Sequence, residues 1–544
     1  MQPPKTLCLL ACALLCQGLT MAADITVTFK GNSATVKHSA TDSVTVETDG
    51  AHIHINSTYK EHRLRVVLKG KSTDGQLILK TAGKAQVRLE GLDLTSQEGA
   101  PIWLKNKKRV EIVAAKGTEN TLAIEACRDT ANQKGAVIFS KDKLRLSGKG
   151  TLHVLSKGDG CKGIHVKDDL EIEELVLDVV TTGNNLGEEA FGGGMPGGFG
   201  PHMGGFGRPG GFDPEQLSDE EKAHFEQMRA QFEQMRARFE EMREKGELPQ
   251  GGPFGGGGFG SNPFNPNDST RQGAPFGGGG FGPNPFTPND STRQGGPFGG
   301  FGGGFGGPMK RNYVGTAKGI KALGKITMSS GTVSVQTNSP GAEGIEGKQG
   351  IEMNGGVVSV VAVDDAINAN APICFSGAHV TARSTTNDAI DANDRSRGFM
   401  PFGMPGQQQD AQPMIVVTGG TVYAWSQIGP PEEGLDCDFS PIEIAGGTVF
   451  SAGAGMGDMP SVPNAQTAKQ PTLLLIGLNI AKDEPICLLD SQSKEIGRVC
   501  MPFDLQHSSS LISFPQLEVG QSYTLRTKGY EKKFNLTEPF TIVR

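Results

Sequence analysis

Charged residues recur at two fixed places in this chain, and their spacing suits a metal site. Two residues before a recurring Ile or Leu stand Lys162, Lys318, Glu343, Asp365, Asp388 and Glu433. One residue after it stand His165, Lys321, Glu346, Asn368, Asp391 and Asp436. If those Ile and Leu positions stack as neighbouring strands, each file climbs by about 4.8 Å per step. Both files are basic in the earlier units and acidic in the later ones. Like charges opposed on adjacent strands destabilise the pair. The acidic stretch therefore calls for solvent, raised pKa values or a bound cation. Calcium takes about six to eight oxygens from carboxylates, amide carbonyls and water, and Asn370 and Asn393 add oxygens close by. The expected calcium ligands are Glu343, Glu346, Asp365, Asn368, Asp388, Asp391 and Asp394. A solvated acidic face is the alternative. The signal is positional, since the spacing is not that of an EF-hand loop. Arg395 and Arg397 follow directly, placed to meet an anionic ligand.

A second chemistry is aromatic. In the run Thr421-Val-Tyr423-Ala-Trp425, Val422 and Ala424 take inward slots, so Tyr423 and Trp425 share the outward side. Phe450 occupies the Tyr423 slot of the next unit. Such a row is expected to stack on sugar rings, and Tyr423, Trp425, Phe450 and Arg395 form the expected carbohydrate-binding set. Contact with the C-terminal part of the chain is the alternative. Signatures of catalysis are missing: there is no Gly-x-Ser-x-Gly, no His-Glu-x-x-His, no Walker loop and no zinc-like Cys/His spacing.

These side chains need a scaffold that repeats. Ile326, Ile351, Ile373, Ile415 and Ile442 each precede a second apolar anchor by seven residues, usually with a glycine five residues on. Leu170 with Leu177 fits the same frame. The first anchors advance by 25, 22, 42 and 27 residues. The units are rich in Val, Ile and Thr with period-2 alternation, which reads as strand. They are too short for propeller blades of about 40–45 residues, and they suit single coils of a parallel β-helix. Each coil buries its apolar face only by stacking on its neighbours. The 42-residue step is one coil plus an extra loop at about 394–413.

Domain boundaries follow from composition. Residues 187–311 hold 35 of the 78 glycines and 16 of the 27 Phe, and their removal leaves about one coil between the Leu170 and Ile326 anchors. That composition is expected to stay disordered, apart from a helix at about 218–245. There Phe225, Phe232 and Phe239 alternate with Met228, Met235 and Met242 in heptads. Self-association through this helix and simple packing against the β-helix are both open. The expected organisation is a signal peptide at 1–23, β-helix at 24–186 and 312–465, and a small β-rich cap at 466–544. The cap covers strand edges that a terminal coil would leave unpaired.

The N-terminus reads Lys5, an apolar run from Thr6 to Leu15, then Ala22-Ala23, the order of a secretory signal. Export to the periplasm, cell surface or medium is expected, and lipidation at Cys12 is the weaker reading because its apolar run is short. No other apolar run is long enough to span a bilayer. Six cysteines remain after cleavage, and only Cys487 and Cys500 are close enough in sequence to suggest neighbouring strands. Disulfides and free thiols both remain open. A net charge of −7 argues against a general nucleic-acid binder.

The coil grammar, with Gly-Thr-Val after an anchor and Asp-Ala-Ile-x-Ala in the next strand, resembles a family of secreted bacterial carbohydrate-binding proteins. So do Lys116-Gly-Thr-Glu-Asn-Thr-Leu122, Ala136-Val-Ile-Phe-Ser-Lys-Asp142 and the closing stretch 517–524. The resemblance covers most of 24–186 and 312–544. It implies a polysaccharide-lyase-like right-handed β-helix that binds plant-type polysaccharide with calcium present, both acidic chains such as polygalacturonate and neutral cellulose. Many members carry Asp-Gly-Ile where this chain has Asp-Ala-Ile. The expectation is an exported binder of acidic polysaccharide. Two alternatives stand beside it: a calcium-dependent polysaccharide lyase with Arg395 or a Lys as base, and a surface adhesin that assembles through its heptad arm.

Overall fold

The apolar anchors are the reason for the architecture. Ile345, Ile367 and Ile390 lie directly over one another on parallel strands, and none is more than 3% exposed. The same vertical registry joins Ile326, Ile351, Ile373, Ile415 and Ile442. A third file joins Val333, Val358, Val380, Val422 and Val449. Each later coil is thus three short strands, for example Ile345–Gly347, Ile351–Met353 and Val357–Ala362. Two of the three rows make up a 21-stranded sheet, and the third makes an 11-stranded sheet. Ile and Val at these positions fill an interior in which every removed methylene is felt.

This computed structural model describes residues 24–543 except 39–41, 61–62, 128–134, 186–315, 394–411, 429–431, 438–439, 454–460 and 465. The expected signal peptide, the Gly/Phe-rich insertion with its helix, and Asp394, Arg395 and Arg397 lie outside those residues. The coils on either side of the insertion stack without a break: Ile164 pairs with Ile320 and Leu177 with Val333. Among the described residues no helix is long and apolar enough to cross a membrane.

The recurring glycine has a steric cause. Gly356 and Gly420 take φ of +88° and +80°. A Cβ on Gly356 would stand 2.6 Å from the carbonyl oxygen of Gly331 in the coil before it. Close backbone approach at a corner therefore excludes a side chain there.

Both ends of the stack are covered. Two hairpins, Asp24–Lys30 with Ser33–His38 and Val44–Asp49 with His52–Ser57, close the N-terminal end. At the other end Leu505–Ser513 pairs antiparallel with Ile442–Gly453, and Thr472–Ile480 pairs with it in turn. A separate four-stranded sheet, Glu495–Cys500, Pro485–Leu489, Ser522–Arg526 and Glu531–Asn535, completes this module.

Cys127 and Cys161 form a disulfide, while Cys487 and Cys500 are free. The last two do lie on adjacent strands, but Cys487 faces Arg498 and Cys500 faces Pro485. The spacing of anchors along one chain could not reveal that Cys127 and Cys161 meet across two coils.

Candidate functional site

The face of the 11-stranded sheet turned away from the apolar anchors gathers the charged files, and most of their side chains are buried, from 0% exposed for His165 to 8% for Asp388. The file one residue after the anchor runs Trp103, Phe139, His165, Lys321, Glu346, Asn368, Asp391 and Asp436, each paired with the next. The file two before the anchor stacks through backbone hydrogen bonds, in which Gly163, Gly319, Gly344, Ala366 and Ala389 donate to the carbonyls of Lys318, Glu343, Asp365, Asp388 and Glu433. Sequence distances of more than 300 residues thereby collapse into one stripe. Its chemistry changes along its length from aromatic to basic to acidic.

At the aromatic end Trp103 is half-buried, and Phe139 meets it edge-on with ring centroids 6.4 Å apart. His165 meets Phe139 in the same way at 5.3 Å. The ammonium of Lys105 stands 4.0 Å from the Trp103 ring centroid, within cation–π range. The charge-based reading of the file began at His165. Carrying the anchor frame back two coils, to Ile138 and Ile102, would have found Phe139 and Trp103.

In the middle, lysines neutralise the first two carboxylates. Lys318 Nζ lies 2.7 Å from Glu343 Oε1 and 2.9 Å from Glu346 Oε2. Lys321 Nζ lies 2.8 Å from Glu346 Oε2, and Lys348 also pairs with Glu346. Burial opposes the charge on Lys318, but Glu343 and Glu346 outweigh it and hold the ammonium protonated. Burial likewise pushes the Glu346 carboxyl up, and Lys318, Lys321 and Lys348 together hold it well below the usual carboxylate range. Glu343 and Glu346, both expected as calcium ligands, are ion-paired to lysines here, where the acidic file meets the basic file.

The remaining carboxylates are in a different state. Asp365 and Asp388 are buried, and burial, followed by neighbouring carboxylates, pushes both well above the usual range. The same causes put Asp364 at about 6 and Glu433 at about 8. Glu432 rises to about 7 through burial and neighbouring carboxylates, against a hydrogen bond from Asp388. Amides hold part of the cluster. Asn368 Nδ2 donates to Asp365 Oδ2 at 2.7 Å and to Asp391 Oδ2 at 3.0 Å, and Asn387 Nδ2 donates to Asp365 Oδ1 at 2.6 Å. The backbone N–H of Glu433 donates to Asp388 Oδ1. Asp364, Glu432, Glu433 and Asp436 belong to this cluster, and only the last two lie in the predicted files.

In charge, Asp365, Asp388 and Asp391 fit a hard divalent cation. In arrangement they do not form a ready-made shell, because among the described residues no three acidic, His or Cys groups converge on a common ion position. Both oxygens of Asp365 and one of Asp391 accept instead from side-chain amides, and Asp388 Oδ1 accepts from a backbone N–H.

The aromatic set expected at the other end is corrected as well. Phe450 is fully buried and Trp425 is 8% exposed. Both belong to the core of the C-terminal module, with Leu473, Ile512 and Phe514, and Tyr423 packs against it. Tyr423 and Trp425 stack at 6.0 Å, and Arg383 reaches Phe503 of the module at 5.1 Å. The outward face of the last coils is thus an internal interface, because the module lies over it.

Comparison with known proteins bears on the N-terminal half. Residues 49–190 match the family described as carbohydrate-binding domain-containing protein. The resemblance drawn from the coil grammar holds for that segment, which contains Trp103, Phe139, Lys162 and His165. A carbohydrate-binding domain-containing protein of Acetivibrio thermocellus is 31% identical over 111 residues, 19% of this chain and 37% of that one. The chain thus spans little more than a third of the curated relative it matches. A solved structure of a polysaccharide lyase-like protein from C. thermocellum covers 67% of this chain and 92% of its own, at 16% identity and a TM-score of 0.36. That likeness is too distant to support an inference about this chain.

Proposed function

We propose that this chain, whose residues 49–190 match the carbohydrate-binding family, is an exported protein that binds an acidic polysaccharide along the outer stripe of its 11-stranded sheet. The observation that carries this reading is the unbroken file from Trp103 to Asp436. A polysaccharide is itself a repeating line of rings, and the partly exposed members of the file, Trp103, Lys321 and Asp436, would meet it at intervals of several coils, with buried side chains between them. Trp103 presents an aromatic body suited to the apolar face of a pyranose. Lys162, which follows it on the stripe and pairs with neither Glu343 nor Glu346, suits a sugar carrying negative charge. The Cys127–Cys161 bond favours an oxidising compartment, in keeping with export.

Calcium belongs to the proposal in the acidic part of the stripe. Asp365, Asp388 and Asp391, with Asn368, would hold it once their oxygens turn from the amides, with Asp394 from the neighbouring loop. The ion would offset crowded negative charge and bridge to uronate carboxylates. Arg395 is proposed as a further contact to the ligand. Assembly through the heptad arm at about 218–245 is a separate proposal, and deleting 190–310 tests it: an unchanged oligomeric state ends it.

The deciding experiment incubates the protein with polygalacturonate and calcium. Retention of the protein without new absorbance from an unsaturated product is the expected result. Product absorbance would establish the lyase alternative, and no retention would end the binding reading.

A further inference from the structure

The stripe contains one ammonium that its surroundings leave without an ion pair. Lys162 stands two residues before the Ile164 anchor and is only 4% exposed. Its backbone lies between Ala136 on one side and the Lys318 level on the other. Lys318, Lys321 and Lys348 have each found Glu343 or Glu346. Lys162 has no such partner among the described residues.

The groups around it explain why. The strand below contributes Ala136, Val137 and Phe139, none of which carries charge. Its own strand contributes His165, with Lys167 just beyond. The coil above contributes Lys318 and Lys321, and Glu346 lies one coil further. Burial, then Lys321 and Lys318, brings the Lys162 ammonium down to about 7. An unpaired buried ammonium is costly, and this one is placed where the aromatic end of the stripe meets its basic end. Of its neighbours, His165, Phe139 and Lys318 are buried, and Lys321, with a side chain 16% exposed, marks the side on which this level meets solvent.

We infer that Lys162 receives the carboxylate of a uronic acid residue directly, as a charge-assisted hydrogen bond made without calcium, while the sugar ring lies toward Trp103 and Phe139. This rests on the binding function proposed above and adds to it a recognition element for the anionic group. The acidic half of the stripe then needs calcium to meet uronate, and the Lys162 level does not. Charge-assisted pairs of this kind are among the stronger hydrogen bonds, and a neutral sugar offers no counterpart.

The test is a titration of the full chain with oligogalacturonate in EDTA, beside a neutral oligosaccharide of similar length. The wild type is expected to bind oligogalacturonate without calcium. Its affinity should fall as pH rises from about 6 to 9, because the ammonium loses its proton in that range. Lys162→Met should weaken oligogalacturonate binding at least tenfold, leave the neutral ligand unchanged and remove the pH dependence. Lys162→Arg should keep the binding and lose the fall at high pH. Lys162→Met should also unfold no earlier than wild type, since it deletes an unpaired buried charge. Equal oligogalacturonate affinity in wild type and Lys162→Met overturns the inference. Wild-type binding that needs calcium overturns it too, and leaves the binding function standing. A wild type that binds no glycan under any condition ends both.

Discussion

Lys318 lies one coil before Glu343, and its Nζ stands 2.7 Å from Glu343 Oε1 at the level where the basic file turns acidic. The two side chains are 7% and 16% exposed, so the pair is shielded from solvent screening. Removing one member of a buried pair strands the other. Lys318→Met is expected to cost about 3–5 kcal/mol, because Glu343 and Glu346 both lose their shared counter-ion. Lys318→Arg should recover most of it. Equilibrium unfolding in denaturant checks both, and a loss under about 1 kcal/mol for Lys318→Met would remove the network from the account.

The carboxylates beyond that level predict an unusual response to pH. Asp364, Glu432 and Glu433 titrate at about 6, 7 and 8 in the fold, against ordinary values near 4 when unfolded. The folded state therefore binds protons more tightly than the unfolded state, and their contribution is full below about pH 4. It is lost as pH rises through 6 to 8. Melting temperature measured in EDTA should fall across that range. Calcium should restore it by binding the ionised cluster, and Asp365→Ala with Asp388→Ala should abolish the restoration. A melting temperature in EDTA that climbs steadily from pH 5 to 8 would contradict this prediction.

Trp425 and Phe450 separate a structural role from a binding role. Phe450→Ala is expected to cost about 3–5 kcal/mol by opening a cavity under the C-terminal module. The folded fraction should bind polysaccharide as the wild type does. Unfolding curves together with affinity gels decide it: normal stability with lost binding would return these residues to the ligand site.

The disulfide gives a fourth handle. Cys127 and Cys161 are 34 residues apart in sequence. Their bond should contribute about 2–4 kcal/mol by restricting the unfolded chain. Unfolding with and without reductant measures it, and Cys127→Ser should match the reduced wild type. No difference under reductant would mean the bond adds nothing to stability.

Much of this molecule can be read from its chain because a stacked coil converts sequence period into height. Ile345, Ile367 and Ile390 announce the register, and from it the charged files follow with their order intact. What the period does not encode is lateral company. Lys348 lies outside both files yet pairs with Glu346, and a period in the sequence carries no sign of that pairing. The outward direction of Trp425 and Phe450 was legible from alternation, but alternation is blind to a module that folds over the surface. Trp103 and Phe139 carry no charge, so a file defined by charge starts only after them.

The most direct test of the account compares retention of wild type and Trp103→Ala on immobilised polygalacturonate, with a melting curve of each to establish folding. If the outer stripe is the ligand track, the variant melts within a few degrees of wild type and elutes at least tenfold sooner. If both proteins are held equally, sugar is bound elsewhere and the stripe is only a way of stacking coils.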